Sequence, residues 1–158
     1  MEYRKIEKKE DIEVVDIENM NEKFLDEASE LISKYSWGYD YPKKPIEEIK
    51  TAEYVVSAFD KDKIIAFATV NKNSSPDGID NGNLWLAHAV VVPEFRKRGL
   101  FTKLYDKQIS YAKTQDGKIF ACTDNPIVRD FFLKNGWVEY RKTKDEAGET
   151  ATVFEYKR

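Results

Sequence analysis

Arg96, Lys97 and Arg98 stand side by side against Gly99, where the apolar run Val90-Val91-Val92 ends at Pro93 and helical spacing begins at Leu100. Three adjacent cations repel one another, and a helix N-terminus is already the positive pole of its dipole. A negative partner resolves the conflict. The first N–H groups of a helix have no intrahelical acceptor, so together with the dipole and the cations they form an anion site. Gly99, without a Cβ, lets phosphate oxygens approach the backbone. Each dipole–charge contact is worth about 0.3–1 kcal/mol when exposed and up to about 2 kcal/mol when partly buried, so several together can hold a diphosphate. The alternative is a solvated turn. Two phosphate motifs are excluded: no Lys-Ser or Lys-Thr pair completes a nucleotide-triphosphate loop, and no second and third glycine completes a dinucleotide fingerprint.

Other reactive side chains are few. His88 is the only histidine and the only side chain whose ordinary pKa lies near neutrality, which makes it the first candidate for a base. The alternative is a hydrogen-bonded core histidine. Cys122 is the only cysteine and can act as a nucleophile only where it is accessible and activated; a buried, inert thiol is the competing reading. Trp37, Tyr39 and Tyr41 with Asp40, in SWGYDYP, can surround a cationic amine with ring faces and one carboxylate, or can pack over the preceding helix. Tyr105, Tyr111 and Tyr140 are further hydroxyls that the sequence alone does not place.

These residues must be held by a mixed set of elements. After a strand-like opening segment, Phe24, Leu25, Ala28, Leu31, Ile32 and Tyr35 mark one face of a helix, and PIEEIKTA predicts a second, short one. EYVVSAFD and KIIAFATVN read as antiparallel strands about Asp60-Lys61-Asp62. NKNSSPDGIDNGN is a turn-rich loop, and LWLAHAVVV predicts a central strand buried on both faces. Leu104, Tyr105, Ile109 and Ala112 return to helical spacing, KIFACT is a short strand, and DNPIVRDFFLKNG is a helix with Asp124 or Asn125 as N-cap, Pro126 in the first turn and Gly136 beyond its end. The last 22 residues predict a hairpin.

Composition narrows the classes. At 158 residues the chain is expected to form one unit over 1–158, and 41% hydrophobic content suffices for its core. Lys and Arg number 26 against 29 Asp and Glu, for a net charge of -3, so no overall basic field favours nucleic acid. A lone histidine and a lone cysteine supply no metal cluster and no internal disulfide, so no metal and a reducing, cytoplasmic setting are expected. No apolar run approaches the roughly 18–20 residues of a membrane span.

The cofactor-loop block Arg96-Lys97-Arg98-Gly99-Leu100-Phe101, after a strand ending near proline, resembles the Arg/Gln-x-x-Gly-x-Gly/Ala motif of the GNAT superfamily of N-acetyltransferases. Asn125, Val128, Phe132, Gly136 and Trp137 resemble the same family's Asn-x-x-Ala-x-x-x-Tyr block followed by Gly-Phe. The resemblance covers nearly the whole chain and is most specific from Leu84 to Trp137. It implies an α/β (α+β) fold: a mostly antiparallel mixed sheet of six to seven strands, about four helices, and splayed fourth and fifth strands. The pantetheine arm of acetyl-CoA would lie in the splay, paired with backbone at Ala89, Val90 and Val91. The amides from Lys97 through Gly99, Leu100, Phe101 and Thr102 would take the diphosphate, with Arg96 and Arg98 as side-chain partners and Asn125 and Phe132 beside the cofactor. The acceptor would border Trp37, Tyr39, Asp40 and Tyr41.

Two departures matter. Phe101 replaces the last small residue of the loop motif, and Phe132 replaces the tyrosine that serves this family as general acid. A general acid contributes about 10²–10⁴-fold, roughly 3–5 kcal/mol, whereas holding amine and thioester in attacking geometry is worth about 7–11 kcal/mol. The loss therefore predicts a slower enzyme or another acid. The leading expectation is acetyl transfer from acetyl-CoA to a primary amine by direct attack in a ternary complex, with His88 as base. A non-catalytic acyl-CoA-binding or sensing module is the alternative, and an interaction module without cofactor the third. A small-molecule or peptide amine fits as acceptor, and monomer and homodimer both stay open.

Overall fold

Among the described residues, seven segments rich in β-branched or aromatic residues pair edge to edge, most of them bounded by polar turns. The computed structural model describes residues 12–158. Its strands are β1 (Ile12–Asp16), β2 (Tyr54–Asp60), β3 (Lys63–Asn71), β4 (Leu84–Val91), β5 (Ile119–Thr123), β6 (Trp137–Lys144) and β7 (Thr150–Tyr156). They form one sheet in the order β1-β2-β3-β4-β5-β7-β6, antiparallel except for β4 and β5. The expected opening strand is β1; the residues before Ile12 lie outside the described part of the chain. The closing hairpin forms as expected, with β7 inserted between β5 and β6.

Among the described residues, four α-helices cover the sheet: α1 (Glu22–Ile32), α2 (Pro45–Ile49), α3 (Leu100–Lys113) and α4 (Pro126–Lys134). Asn21 caps α1 by accepting from the Phe24 N–H at 2.8 Å, and Asn125 caps α4 by accepting from Ile127 and Val128. The first helical pattern runs on past α1 as a π-helical turn, Ser33–Trp37, ended by Gly38 at φ +88°. One sheet face packs Phe24, Ala28 and Ile32 of α1 and Ile49 of α2 onto Val55 and Phe67. The other packs Tyr105 and Ile109 of α3 and Phe132 of α4 onto Leu84, Leu86, Ile119 and Ala121.

Two irregularities make room for a site. β4 and β5 pair only at Leu84–Ile119 and Trp85–Phe120, then diverge. β4 also carries a bulge: Phe67 faces Val90 but Thr69 faces Ala87, so His88 and Ala89 share one partner position on β3. The extra residue reverses the side-chain alternation. Val90 consequently packs with α1, although Leu84 and Leu86, three and two pairs of residues earlier, face α3. His88 takes φ +55° to make the turn, a left-handed conformation that costs a non-glycine residue about 1–2 kcal/mol. The expectation that β4 is buried on both faces therefore needs correction: Leu84, Trp85 and Leu86 are buried, but Ala89 is exposed where the strand lines the splay.

Candidate active site

The splay opens a cleft of about 800 Å³ between β4 and β5, floored by Ala121 and Cys122 and walled by α3, α4 and the turn after α1. At one end the cleft reaches Phe101, in the first turn of α3, which follows the loop from Pro93 to Gly99. Lys97 at φ +65° and Gly99 at φ +80° turn the chain sharply into α3. The first intrahelical bond runs from the Lys103 N–H to the Gly99 carbonyl, and no side chain caps this helix. The N–H groups of Gly99, Leu100, Phe101 and Thr102 are thus the orphan donors of the first turn. Arg96 donates Nε–H to the Val91 carbonyl at 2.9 Å, and Arg98 donates to the Glu94 carbonyl at 3.1 Å while its guanidinium lies 4.9 Å from the Phe95 ring centroid. Both arginines therefore brace the loop that their charge surrounds. Lys97 is exposed beside them. Phe101 does not obstruct the turn: its ring packs edge-on against Phe131 of α4 at 5.2 Å.

At the bulge, His88 meets a polar network, its side chain 2% exposed. Nε2 lies 3.0 Å from Glu48 Oε1, and Nδ1 lies 2.8 Å from Thr69 Oγ1. Asn71 spends its amide N–H groups on the Glu48 carbonyl and on Asn73 Oδ1, so its own Oδ1 faces Thr69 at 2.5 Å. Glu48 and Thr69 thus engage both ring nitrogens of His88. Neither ring nitrogen presents a lone pair to the cleft. Glu48 also receives Lys43 and Ser74. Burial pushes its carboxyl up, but the His88, Lys43 and Ser74 contacts outweigh that and hold it at about 2. Gln108 of α3 braces the other side, donating to the Thr69 carbonyl at 2.7 Å and the Ala87 carbonyl at 3.3 Å.

The acceptor side is aromatic and acidic. Trp37 lies 4.8 Å from Tyr41 and 5.7 Å from His88 between ring centroids, so those two expected residues meet at the bulge. Tyr39 does not join them: it is 66% exposed and bonds to Glu30. Asp40 lines the rim. Across the opening, the β6–β7 hairpin brings Asp145, Glu146 and Glu149, and Tyr41 donates to Glu146 at 2.9 Å. No lysine or arginine lines the cleft among the described residues. Cys122 is exposed in the cleft, not buried as one reading had it. It is not activated: enclosure by the surrounding protein, then the carboxylates of Asp124, Asp145, Glu48 and Glu146, push its thiol up to about 12.

Phe132 is buried in an aromatic cluster with Trp137 and Phe154, at centroid distances of 4.7 and 5.6 Å. Val91 and Val90 pair with Ala66 and Phe67 of β3, and Asn125 spends its side-chain oxygen on the α4 cap.

The sequence profile of the acetyltransferase (GNAT) family matches residues 16–137, more than half of the chain. The chain belongs to the GNAT acetyltransferase family. Solved GNAT-like structures agree in fold. An acyl-CoA N-acyltransferase from Pseudomonas aeruginosa superposes with a TM-score of 0.72 at 12% identity, covering 92% of this chain and 99% of that one. Naa50 of Arabidopsis thaliana, in complex with the bisubstrate analogue CoA-Ac-MVNAL, superposes with a TM-score of 0.68 at 13% identity, covering 93% and 99%. PH1933 from Pyrococcus horikoshii gives 0.72 at 16% identity, covering 94% and 99%. The search among curated proteins found no match. Among the described residues, no helix is long and apolar enough to cross a membrane.

Sequence reasoning passed over Glu48, Thr69, Asn71 and Gln108, which tertiary contacts bring to the bulge. Glu48 left a faint signal, since it falls on the Pro45 and Ile49 side of α2 where an apolar residue belongs.

Proposed function

We propose that this GNAT protein transfers the acetyl group of acetyl-CoA to a primary amine on a cationic acceptor, by direct attack in a ternary complex. The observation that carries the reading is the continuity of one cleft from the uncapped N-terminus of α3, through the β4–β5 splay, to the bulge at His88. The diphosphate would sit on the Gly99–Thr102 amides within the field of Arg96, Lys97 and Arg98. The pantetheine arm would lie along Ala89 to Val91, past Asn125 and Phe132. The amine would enter from the side of Trp37, Asp40 and Tyr41, with exposed Tyr39 at the outer edge. Carboxylates at Asp40, Asp145, Glu146 and Glu149 would raise the local concentration of a cation and suit a small polyamine-like molecule better than an anionic one.

His88 is the candidate base from the sequence, and its hydrogen bonds favour a positioning role instead, holding the bulge against α2. The two roles separate in a pH–rate profile. A base role removes an ionisation from kcat/KM in His88→Gln, whereas a positioning role lowers the rate without changing the shape of the profile.

Phe132 favours a second reading, an acyl-CoA-binding module without turnover. Titration with acetyl-CoA, with desulfo-CoA and adenosine diphosphate as controls, followed by an amine screen with thiol detection, separates the two. Micromolar binding with amine-dependent thiol release supports the transferase; binding without release supports the module; no binding overturns both.

A further inference from the structure

The general acid expected at position 132 has a neighbour that sequence alignment by motif does not reveal. On α3, Phe101, Tyr105 and Gln108 follow one another at the spacing of one helix face, and all three line the cleft. Gln108 reaches the Ala87 carbonyl at the bulge, while the helix starts at the Gly99 turn. α3 thus runs alongside the path from the phosphate turn back to the bulge, and Tyr105 lies between them, about 9 Å of helical rise from Gly99. Its ring is 6.5 Å from the Phe132 ring and 4.8 Å from that of Phe131, and the residue is 6% exposed.

The Tyr105 hydroxyl is half satisfied. Trp137 Nε1–H donates to Tyr105 Oη at 2.7 Å, which occupies one lone pair and points the phenolic proton elsewhere. Among the described residues that proton has no acceptor. A buried hydroxyl with an unspent donor, on the wall of a cleft, is a group awaiting an acceptor atom. Tyr111 and Tyr140 have no such position: Tyr111 stacks on Tyr54, and Tyr140 is 45% exposed against Phe120.

We propose that Tyr105 supplies from α3 the proton that a tyrosine at 132 would supply from α4, donating to the departing sulfur of coenzyme A. The proposal rests on the acetyl-transfer reading above. The amine nitrogen forms a bond to the acetyl carbonyl carbon, the carbon–sulfur bond breaks with its electron pair passing to sulfur, and the Tyr105 proton moves to that sulfur. The proton released by the amine passes to water, and water reprotonates Tyr105, so the sum is amide and free thiol. Trp137 has a defined part: its N–H stabilises the phenolate left in mid-transfer. Burial pushes the Tyr105 phenol above its ordinary range, against the opposing effect of Trp137, so the donor is loaded at neutral pH.

The test needs no acceptor. The thiol of bound CoA is titrated by its thiolate absorbance, with desulfo-CoA as the blank, in wild type, Tyr105→Phe, and Tyr105→Phe combined with Phe132→Tyr. A phenol donating to sulfur stabilises the thiolate, so the bound thiol should ionise about one pH unit lower in wild type than in Tyr105→Phe, a tenfold change in its ionisation constant. The double variant should recover part of that shift. Replacing Tyr105 by a fluorotyrosine keeps the shape and the Trp137 contact while making the phenol more acidic, and should lower the thiol ionisation further even if Tyr105→Phe folds poorly. Identical ionisation in wild type and the fluorotyrosine protein, both binding CoA, overturns the assignment. Failure of wild type to bind CoA at all is a different result, and it overturns the acetyl-transfer reading itself.

Discussion

Glu48 is the residue on which the bulge depends, because it receives His88, Lys43 and Ser74 while almost fully buried. Its folded carboxyl is held near 2 against an ordinary 4.5. A depressed carboxyl contributes stability above its unfolded pKa and loses it as pH falls through the folded one. Stability should therefore decline between about pH 4.5 and pH 2, and Glu48→Gln should be less stable at neutrality yet show a shallower decline, read by denaturant melts at several pH values. Asp77, held well below its usual range chiefly by Arg141, shares that window, so the difference between the two proteins is what isolates Glu48. Gln108→Leu should cost about 1–3 kcal/mol by removing the buried side-chain donor to the Thr69 carbonyl. Its Tm measured against wild type checks this.

At the scale of the element, α3 and its loop carry the prediction for cofactor affinity. Reversing Arg96 and Arg98 together to glutamate should weaken acetyl-CoA binding tenfold or more by calorimetry, about 1.4 kcal/mol; unchanged affinity would place the diphosphate elsewhere. Gly99→Ala separates conformation from space. A Cβ there meets nothing within 4 Å, so the left-handed φ of +80° is the whole difficulty. The expected cost is about 1–2 kcal/mol of stability, together with weaker binding of acetyl-CoA as the turn opens. A thermal melt and a titration of the same variant read both.

For the whole molecule, the cleft depends on two segments far apart in sequence. The turn after α1 and the β6–β7 hairpin meet across its opening, where Tyr41 and Lys43 both reach Glu146. The hairpin's near strand is tied in turn to the β3–β4 loop: Arg141 grips Asp77 and Asp80, and Thr143 donates to Asp77. The Tyr41 and Lys43 contacts with Glu146 are exposed, and such pairs are worth about 0–1 kcal/mol, so Glu146→Gln should barely move Tm. It should raise KM for a cationic acceptor several-fold, leave acetyl-CoA affinity unchanged, and lose its effect at high salt. A change in acetyl-CoA affinity instead would show that the hairpin acts on the cofactor.

By itself the sequence determined the strands, the helices and the basic turn that opens α3, because these follow from local causes: apolar periodicity, the Asn125-Pro126 start of α4, and a glycine after three cations. The motif spacing from Leu84 to Trp137 also pointed to the family. Only the tertiary structure decided that β7 lies between β5 and β6, that His88 sits on a bulge with both ring nitrogens engaged, and that Cys122 faces the cleft. It alone brought Glu48 to His88 and Trp137 to Tyr105, across 40 and 32 residues of chain. The reason is physical: a bulge changes which side of a strand each later residue faces, and a hydrogen bond between distant segments has no local pattern. Both are settled when the sheet and helices pack, by the requirement that buried polar groups find partners.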